Sequence, residues 1–375
     1  MKKRFRPLRF PEDESVHNHS IEWWYFNGHV RDKSGNAYSY MNCLFRVDVK
    51  RVGIPLLRAI PLATSYFSHS LISDLQRRTF QHRIAPLSIL SDDSHSKPLL
   101  SINYINPAPR TGYTNCVIEK LDASRYHMKN EDLDVTLTAM KQPLLEGGSG
   151  FLDLRSKSTY YYSITNLATE GRMRIGAKWV TVSGVSWMDH QWANTKYTKD
   201  KWDWFSIQLD NNTELVCFVY DSSKGRTFLA DICYPDGRRA HFDDVAITPL
   251  ERRWVSPKSG AAYPTAWRIV IPAIRADLHL EARIDNQEML FGSINYWEGP
   301  LLVNGSIGDE PVRGVGFMEL LGYASTYSNA QYVRDAVNHS IRRATARTLK
   351  GASSYIGWVW RSIAGSSPAL RKRKR

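Results

Sequence analysis

WDWFSIQLDNNTELVCFVYD, residues 202–221, reads as strand, turn, strand. Its two flanks are rich in aromatic and β-branched residues, which suit a pleated, half-buried surface. Between them LDNNTE at 209–214 offers side chains that tolerate turn backbones. The same grammar extends outward. SYMNCLFRVDV (39–49), SINYI (101–105), DVTLTAM (134–140), STYYYSITNL (158–167) and AWRIVIP (266–272) favour strands, while KSGN (33–36) and PDGR (235–238) mark turns. GRMRIGAKWVTVSG (171–184) reads as one further strand, and the polar stretch 81–97 as a loop. Many short strands at this spacing predict an all-β chain of barrels or sandwiches rather than a parallel α/β sheet.

The 375 residues are too many for one small core, so two domains are expected. With 42% hydrophobic and 23% charged residues the composition is core-forming, and 12 Trp add to the strand signal. The net charge of +13 sits at the ends. Ten Lys or Arg and no acid fall within 340–375, five more basic residues within 1–10, and residues 11–339 carry a net charge of −2. A near-neutral body makes nucleic acid an improbable partner. Cys43, Cys116, Cys217 and Cys233 form no CxxC pattern and read as reduced core thiols. The basic start runs into LRFPEDESVHNHS, with no apolar leader region, and no window approaches roughly 18 apolar residues, so the expected address is cytoplasmic.

Two segments concentrate chemistry. In IEWWYFNGH (21–29) strand alternation puts Glu22, Trp24 and Phe26 on one face and Trp23, Tyr25 and Asn27 on the other. If the Glu22 face is a barrel interior, desolvation raises the carboxyl pKa; otherwise Glu22 is a structural residue satisfied by Arg or backbone N–H groups. WMDHQW (187–192) sets Asp189, His190 and Gln191 in succession after a strand, as a reactive group or as a buried polar turn pinning the domain junction. His17 and His19 are close, but there is no HxxxH, HExxH or Cys pair, so no metal is expected. Phosphate loops and the GxSxG elbow are absent. Trp297 with Glu298, and Glu319 in GVGFMEL, read as structural strand-end residues.

EWWYFNGHV, WMDHQWAN, KWDWFSIQLDNNTEL, WVSPKSGAAYPTAWRIVIP, NQEMLFGSINYWEG and GVGFMELLGY occur in the order they take in AttH-like proteins and carotenoid 1,2-hydratases (hydroxyneurosporene synthases). From about residue 10 to about residue 325 the chain resembles that lipocalin-like family. The resemblance implies two tandem lipocalin-like β-barrel or sandwich domains, 1–188 and 189–325, with an apolar pocket at their junction. Residues 326–375 then form a short helical basic tail, with Tyr332, Ala336, His339 and Arg343 along one helix face.

The resemblance implies a cofactor-independent hydratase or cyclase of a hydrophobic polyene or isoprenoid, a non-catalytic carrier of an apolar ligand, or a hydrolase. Hydration of an alkene needs a protonated acid, aromatic faces for the cation and a positioned water. The family assigns the catalytic group to His190 and Trp192, with Tyr220 and Asp221 on a following strand; the acid is otherwise Asp189 or Glu22. Adjacent residues such as Tyr220 and Asp221 share one pocket only if their strand ends or bulges there. Glu22, Trp24, Phe26, Gln191, Trp202, Trp204, Trp297 and Glu298 are the expected substrate contacts. No cofactor is expected. The ten charges of 340–375, interleaved with Trp358, Trp360 and Ile363, suggest docking on an anionic membrane surface.

Overall fold

The two Trp-rich segments lie side by side. Strand Ile21–Asp32 pairs antiparallel with Lys178–Ala193, setting Glu22 opposite Trp192, Trp24 opposite His190 and Tyr25 opposite Asp189. The computed structural model describes residues 5–52, 63–90, 99–108, 112–196, 200–291 and 294–335. Its first sheet runs Phe151–Asp153, Ser158–Ile175, Lys178–Ala193, Ile21–Asp32, Ala37–Asp48, Thr64–Asp74, Thr79–Leu90, Ser101–Ala108, Gly112–Lys120, Arg125–Lys129, Leu133–Ala139. The last of these also pairs with Ser158–Ile175, so the ladder returns on itself around Trp24, Phe26, Tyr40, Ile118, Met128 and Trp192. The second sheet runs Arg239–Phe242, Gly225–Cys233, Glu214–Ser222, Lys201–Leu209, Glu310–Leu321, Ile294–Ile307, Ala276–Ala282, Ala266–Ile271, Ala246–Pro249. Its core holds Phe205, Leu215, Trp267, Leu280, Trp297 and Met318.

A third apolar cluster lies where the sheets face each other, and includes Tyr25, Met41, Tyr161, Trp187, Trp204, Phe218 and Phe317. Strands at this face bury both surfaces, one inward and one against the other sheet. That is why residues 24–28 and 203–207 are buried without interruption and alternation is hard to read there.

Three sequence expectations change. The stretch 171–184 is not one strand: Gly176 at φ +62°, a conformation that favours glycine, turns the chain between Ile175 and Lys178. Residues 79–90 form a strand, missed because most of its side chains up to Arg83 are at least partly exposed and give no apolar run; 91–97 lie outside the described residues. The division expected at 188/189 falls inside Lys178–Ala193, which must continue to Ala193 to pair with Ile21. The change of sheet lies between Ala193 and Lys201.

Residues 329–335 are helical, and the basic segment 340–375 lies outside the described residues. Among the described residues no helix is long and apolar enough to cross a membrane. All four cysteines are free and buried, and burial pushes their thiols up, that of Cys116 to about 12. Since the thiolate is the nucleophile, a disulfide-exchange reagent should label no thiol quickly in the native protein and four after denaturation. A fast native phase would contradict this burial.

Candidate active site between the two sheets

Period-two alternation decides which side chains reach the space between the sheets. Trp23 and Tyr25, Asp189, Gln191 and Ala193, Trp202 and Trp204, Phe218 and Tyr220, Tyr296 and Glu298, and Glu319 and Leu321 all line one cavity of about 460 Å³. Phe45, Phe67, Val52 and Ile294 extend its lining with apolar side chains. The size and the mixture of apolar wall with few polar groups are those of a small-molecule site.

Three buried carboxyl groups face this cavity. In the hairpin Ile294–Ile307 and Glu310–Leu321, Glu298 stands directly opposite Glu319, and residues so placed share a face with Cβ atoms roughly 5 Å apart. The Tyr25 hydroxyl donates to Glu298 Oε1 at 2.6 Å, and Trp202 Nε1–H donates to Glu319 Oε1 at 2.6 Å. Glu298 Oε2 is buried with no N–H or O–H donor among the described residues. Burial, then the charge of Glu319, holds the Glu298 carboxyl well above its ordinary range. Burial pushes Glu319 up to about 7, opposed by the Trp202 N–H. Two carboxyls this close in an apolar wall cannot both ionise near neutrality, so the pair keeps a proton.

The third carboxyl, Asp189, is set differently. It accepts from the Tyr161 hydroxyl at 2.6 Å, the Ser163 hydroxyl at 2.6 Å and Trp187 Nε1–H at 2.5 Å, and Trp204 Nε1–H donates to Tyr161 at 2.8 Å. Burial raises Asp189 to about 6, and its three donors limit the rise. One cavity therefore holds a protonated pair and an ionisable base. Also on the lining, Tyr220 donates to Asp200, and Lys157 Nζ stands 4.7 Å from the Tyr220 ring centroid and 5.7 Å from that of Trp202. Burial draws the Lys157 pKa down.

Of the residues expected from sequence, Asp189, Gln191, Trp202, Trp204, Tyr220 and Glu298 line the cavity. Glu22, Trp24, Phe26, His190 and Trp192 do not; they occupy the opposite face, inside the first sheet. There His190 Nε2–H donates to the Glu22 carboxylate at 2.9 Å, and His190 Nδ1 lies 3.2 Å from the Tyr162 hydroxyl. Both ring nitrogens of His17 meet carboxylates, Glu22 at 2.8 Å and Asp13 at 3.1 Å. The expected rise of the Glu22 pKa is reversed: burial favours it, but hydrogen bonds from His17 and His190 outweigh it and hold the carboxyl low. His17, Glu22 and His190 are also the described grouping whose ligand atoms lie within 4.8 Å of one another. Their mutual hydrogen bonds make it a self-satisfied ion-pair network. Trp297 lies in the second core. Asp221 points away because Glu214–Ser222 runs without a bulge, and it pairs at the surface with Arg226 at 2.8 Å.

Tyr25, Tyr161 and Lys157 line the cavity with no local sequence signal, and Glu319, expected as a structural strand-end residue, faces it. A signal for the carboxyl pair was present. Gly308-Asp309 is a two-residue hairpin connection, and counting back from Ile307 and Glu310 puts Glu298 against Glu319.

The AttH-like family model matches residues 2–323. A protein named Dehydratase asqC from Emericella nidulans is 23% identical over 203 residues, 52% of this chain and 54% of that one, so the chain spans about half the length of this curated relative. Two crystal structures share the fold at TM-score 0.67. One is an AttH-designated protein of Nitrosomonas europaea, 24% identical, with 85% of this chain and 97% of that one covered. The other is kievitone hydratase from Nectria haematococca, 16% identical, with 84% and 93% covered. A match over almost all of the two-sheet body, with the cavity inside it, means that the chain belongs to the AttH-like family.

Proposed function

We propose that this chain is a cofactor-independent hydro-lyase, adding water to or removing it from a carbon–carbon double bond of a hydrophobic substrate bound between the sheets. The observation that carries the reading is the Glu298–Glu319 pair, opposite in register and forced by burial to retain a proton. In hydration, a pair O–H bond breaks and its proton forms a C–H bond at the less substituted alkene carbon. The cation left behind faces Trp202, Trp204 and Tyr25, whose rings stabilise positive charge. A water oxygen bonds to the cationic, more substituted carbon and releases a proton to Asp189. Dehydration is the reverse. An isoprenoid or polyene suits this chemistry best, because a trisubstituted alkene yields a tertiary cation. Two relatives bear names of the same reaction class, a dehydratase and a hydratase.

The test is incubation with polyenes and with tertiary allylic alcohols, read by mass for gain or loss of one water. Binding without conversion would make the chain a carrier instead. The pair loses its first proton as pH rises through about 7, and the proton it retains is held by Glu298 against the new Glu319 carboxylate and is harder to transfer, so hydration should fall over that range. A hydration rate that climbs across that range would remove the pair from the donor role.

A further inference from the structure

Behind Asp189 a line of ionisable groups runs away from the cavity. Ser163 stands directly opposite Asp189 in the first sheet, and its hydroxyl lies 2.6 Å from Asp189 Oδ1 and 2.8 Å from Glu146 Oε1. Glu146 and Ser163 are fully buried. The next residue's N–H, that of Gly147, donates to Asp231 Oδ2 of the second sheet at 2.9 Å, which sets Glu146 beside Asp231; burial and then the charge of Asp231 hold the Glu146 carboxyl well above its ordinary range, and its Oε2 has no N–H or O–H donor among the described residues. Asp231 stands opposite His241 in register, and its Oδ1 meets His241 Nδ1 at 2.8 Å. The other nitrogen of His241 lies 3.1 Å from Asp243, whose side chain is 85% exposed.

Proton counting makes this more than a row of contacts. The Ser163 hydroxyl carries one proton but contacts two carboxyl oxygens, so it donates to one, and the other contact is a hydrogen bond only if that carboxyl holds a proton. The Glu146–Asp231 contact needs a proton for the same reason. No Lys or Arg enters the line among the described residues; it ends on the His241 imidazole, which Asp231 holds above its ordinary value, and an imidazole is the side chain suited to exchange with buffer near neutrality.

We infer that Asp189, Ser163, Glu146, Asp231 and His241 form a proton relay between the cavity and solvent, by a route separate from the path of the substrate. The inference rests on the hydro-lyase reading. The line rests with Glu146 protonated. Once Asp189 takes the proton of the attacking water, Glu146 passes its own proton to Asp231 and is refilled by the Ser163 hydroxyl, which takes the proton held by Asp189; His241, deprotonated by buffer, takes the proton from Asp231 and passes it to buffer in turn. Asp189 is thereby returned to its basic form while product still fills the cavity. The Glu298–Glu319 pair regains its proton from solvent when product leaves. For dehydration the flow is inward.

The relay predicts that His241→Ala and Asp231→Asn lower kcat at least about tenfold in dilute buffer with KM unchanged. Imidazole in solution should restore His241→Ala but not Asp231→Asn, which interrupts the line inside the protein. Wild-type kcat should not respond to imidazole. A purely structural role would lose stability without buffer rescue, so unfolding midpoints are measured in parallel. Full kcat in both variants, or a loss that imidazole leaves untouched in His241→Ala, overturns the relay while wild-type turnover keeps the hydro-lyase reading. If wild-type turnover is absent, the reading fails, and the relay is judged by infrared spectroscopy. With the cavity filled by a long-chain alcohol, the buried protonated-carboxyl band should exchange in D₂O at least about tenfold more slowly in His241→Ala; equal rates refute it.

Discussion

Glu298→Gln and Glu319→Gln, made singly, are expected to lower kcat by about 100- to 10,000-fold, the range assigned to a positioned proton donor. Gln keeps the side-chain volume and one acceptor oxygen, so Tyr25 and Trp202 still find partners. What disappears is the transferable proton. Stability should move the other way. In the native state Glu319 holds its proton up to about 7, whereas in the unfolded chain it releases it near about 4.3. A carboxyl raised by folding makes stability fall as pH increases through that window. The Gln variants lack this penalty, so their Tm should equal or exceed that of the wild type, with the larger gain at pH 8 than at pH 6. Activity within threefold of wild type in both variants would exclude the pair as donor. Lost activity with a sharply lowered Tm would show that the pair holds the structure together instead.

The all-β architecture was legible because most strands keep one wet face or carry clear turn residues at their ends. The resemblance to AttH-like proteins rested on long Trp-rich segments and extended over the body of the chain. Facing was not legible. In EWWYFN Glu22, Trp24 and Phe26 are buried on the inner side of the first sheet, while Tyr25 and Asn27 are buried and Trp23 partly buried on the side of the second, so hydrophobicity cannot say which set meets a ligand. The same ambiguity gives His190 and Trp192 the look of site residues, whereas the strand presents Asp189 and Gln191 to the cavity. Neither Glu298 nor Glu319 stands out alone in the sequence. Their chemistry arises from being paired, which follows from register and not from local composition.

The Glu22–His190 network explains why WMDHQW carries polar residues that never reach the cavity. His190 is fully buried, stacked on Trp24 with ring centroids 4.7 Å apart, and inclined to Trp192 at 4.6 Å. It supplies one of the two imidazoles that hold Glu22 ionised. His190→Ala should therefore destabilise the fold by about 1.5–3 kcal/mol, the cost of losing a hydrogen bond to a buried charge that keeps His17 as its remaining partner. The cavity left between two indoles adds to that loss. Folded His190→Ala should keep its kcat within a fewfold, measured where wild type and variant are both fully folded.

The pH dependence has a definite sign. Burial lowers the native His190 pKa to about 4, against about 6.5 unfolded, so the unfolded chain binds the extra proton. This contribution is complete above about 6.5 and is lost as pH falls through about 4, up to about 3 kcal/mol in all. His17, held above its ordinary value between Asp13 and Glu22, contributes in the opposite sense, and its effect fades as pH rises. In His190→Gln the neutral-histidine component vanishes, so urea midpoints of wild type and variant should converge as pH drops from 6.5 toward 4. Divergence over that interval would mean that the native protein carries His190 as the cation. A kcat lost in proportion to a catalytic deletion, with stability intact, would return His190 to the active site and turn the proposed mechanism from the interface of the two sheets to the interior of the first.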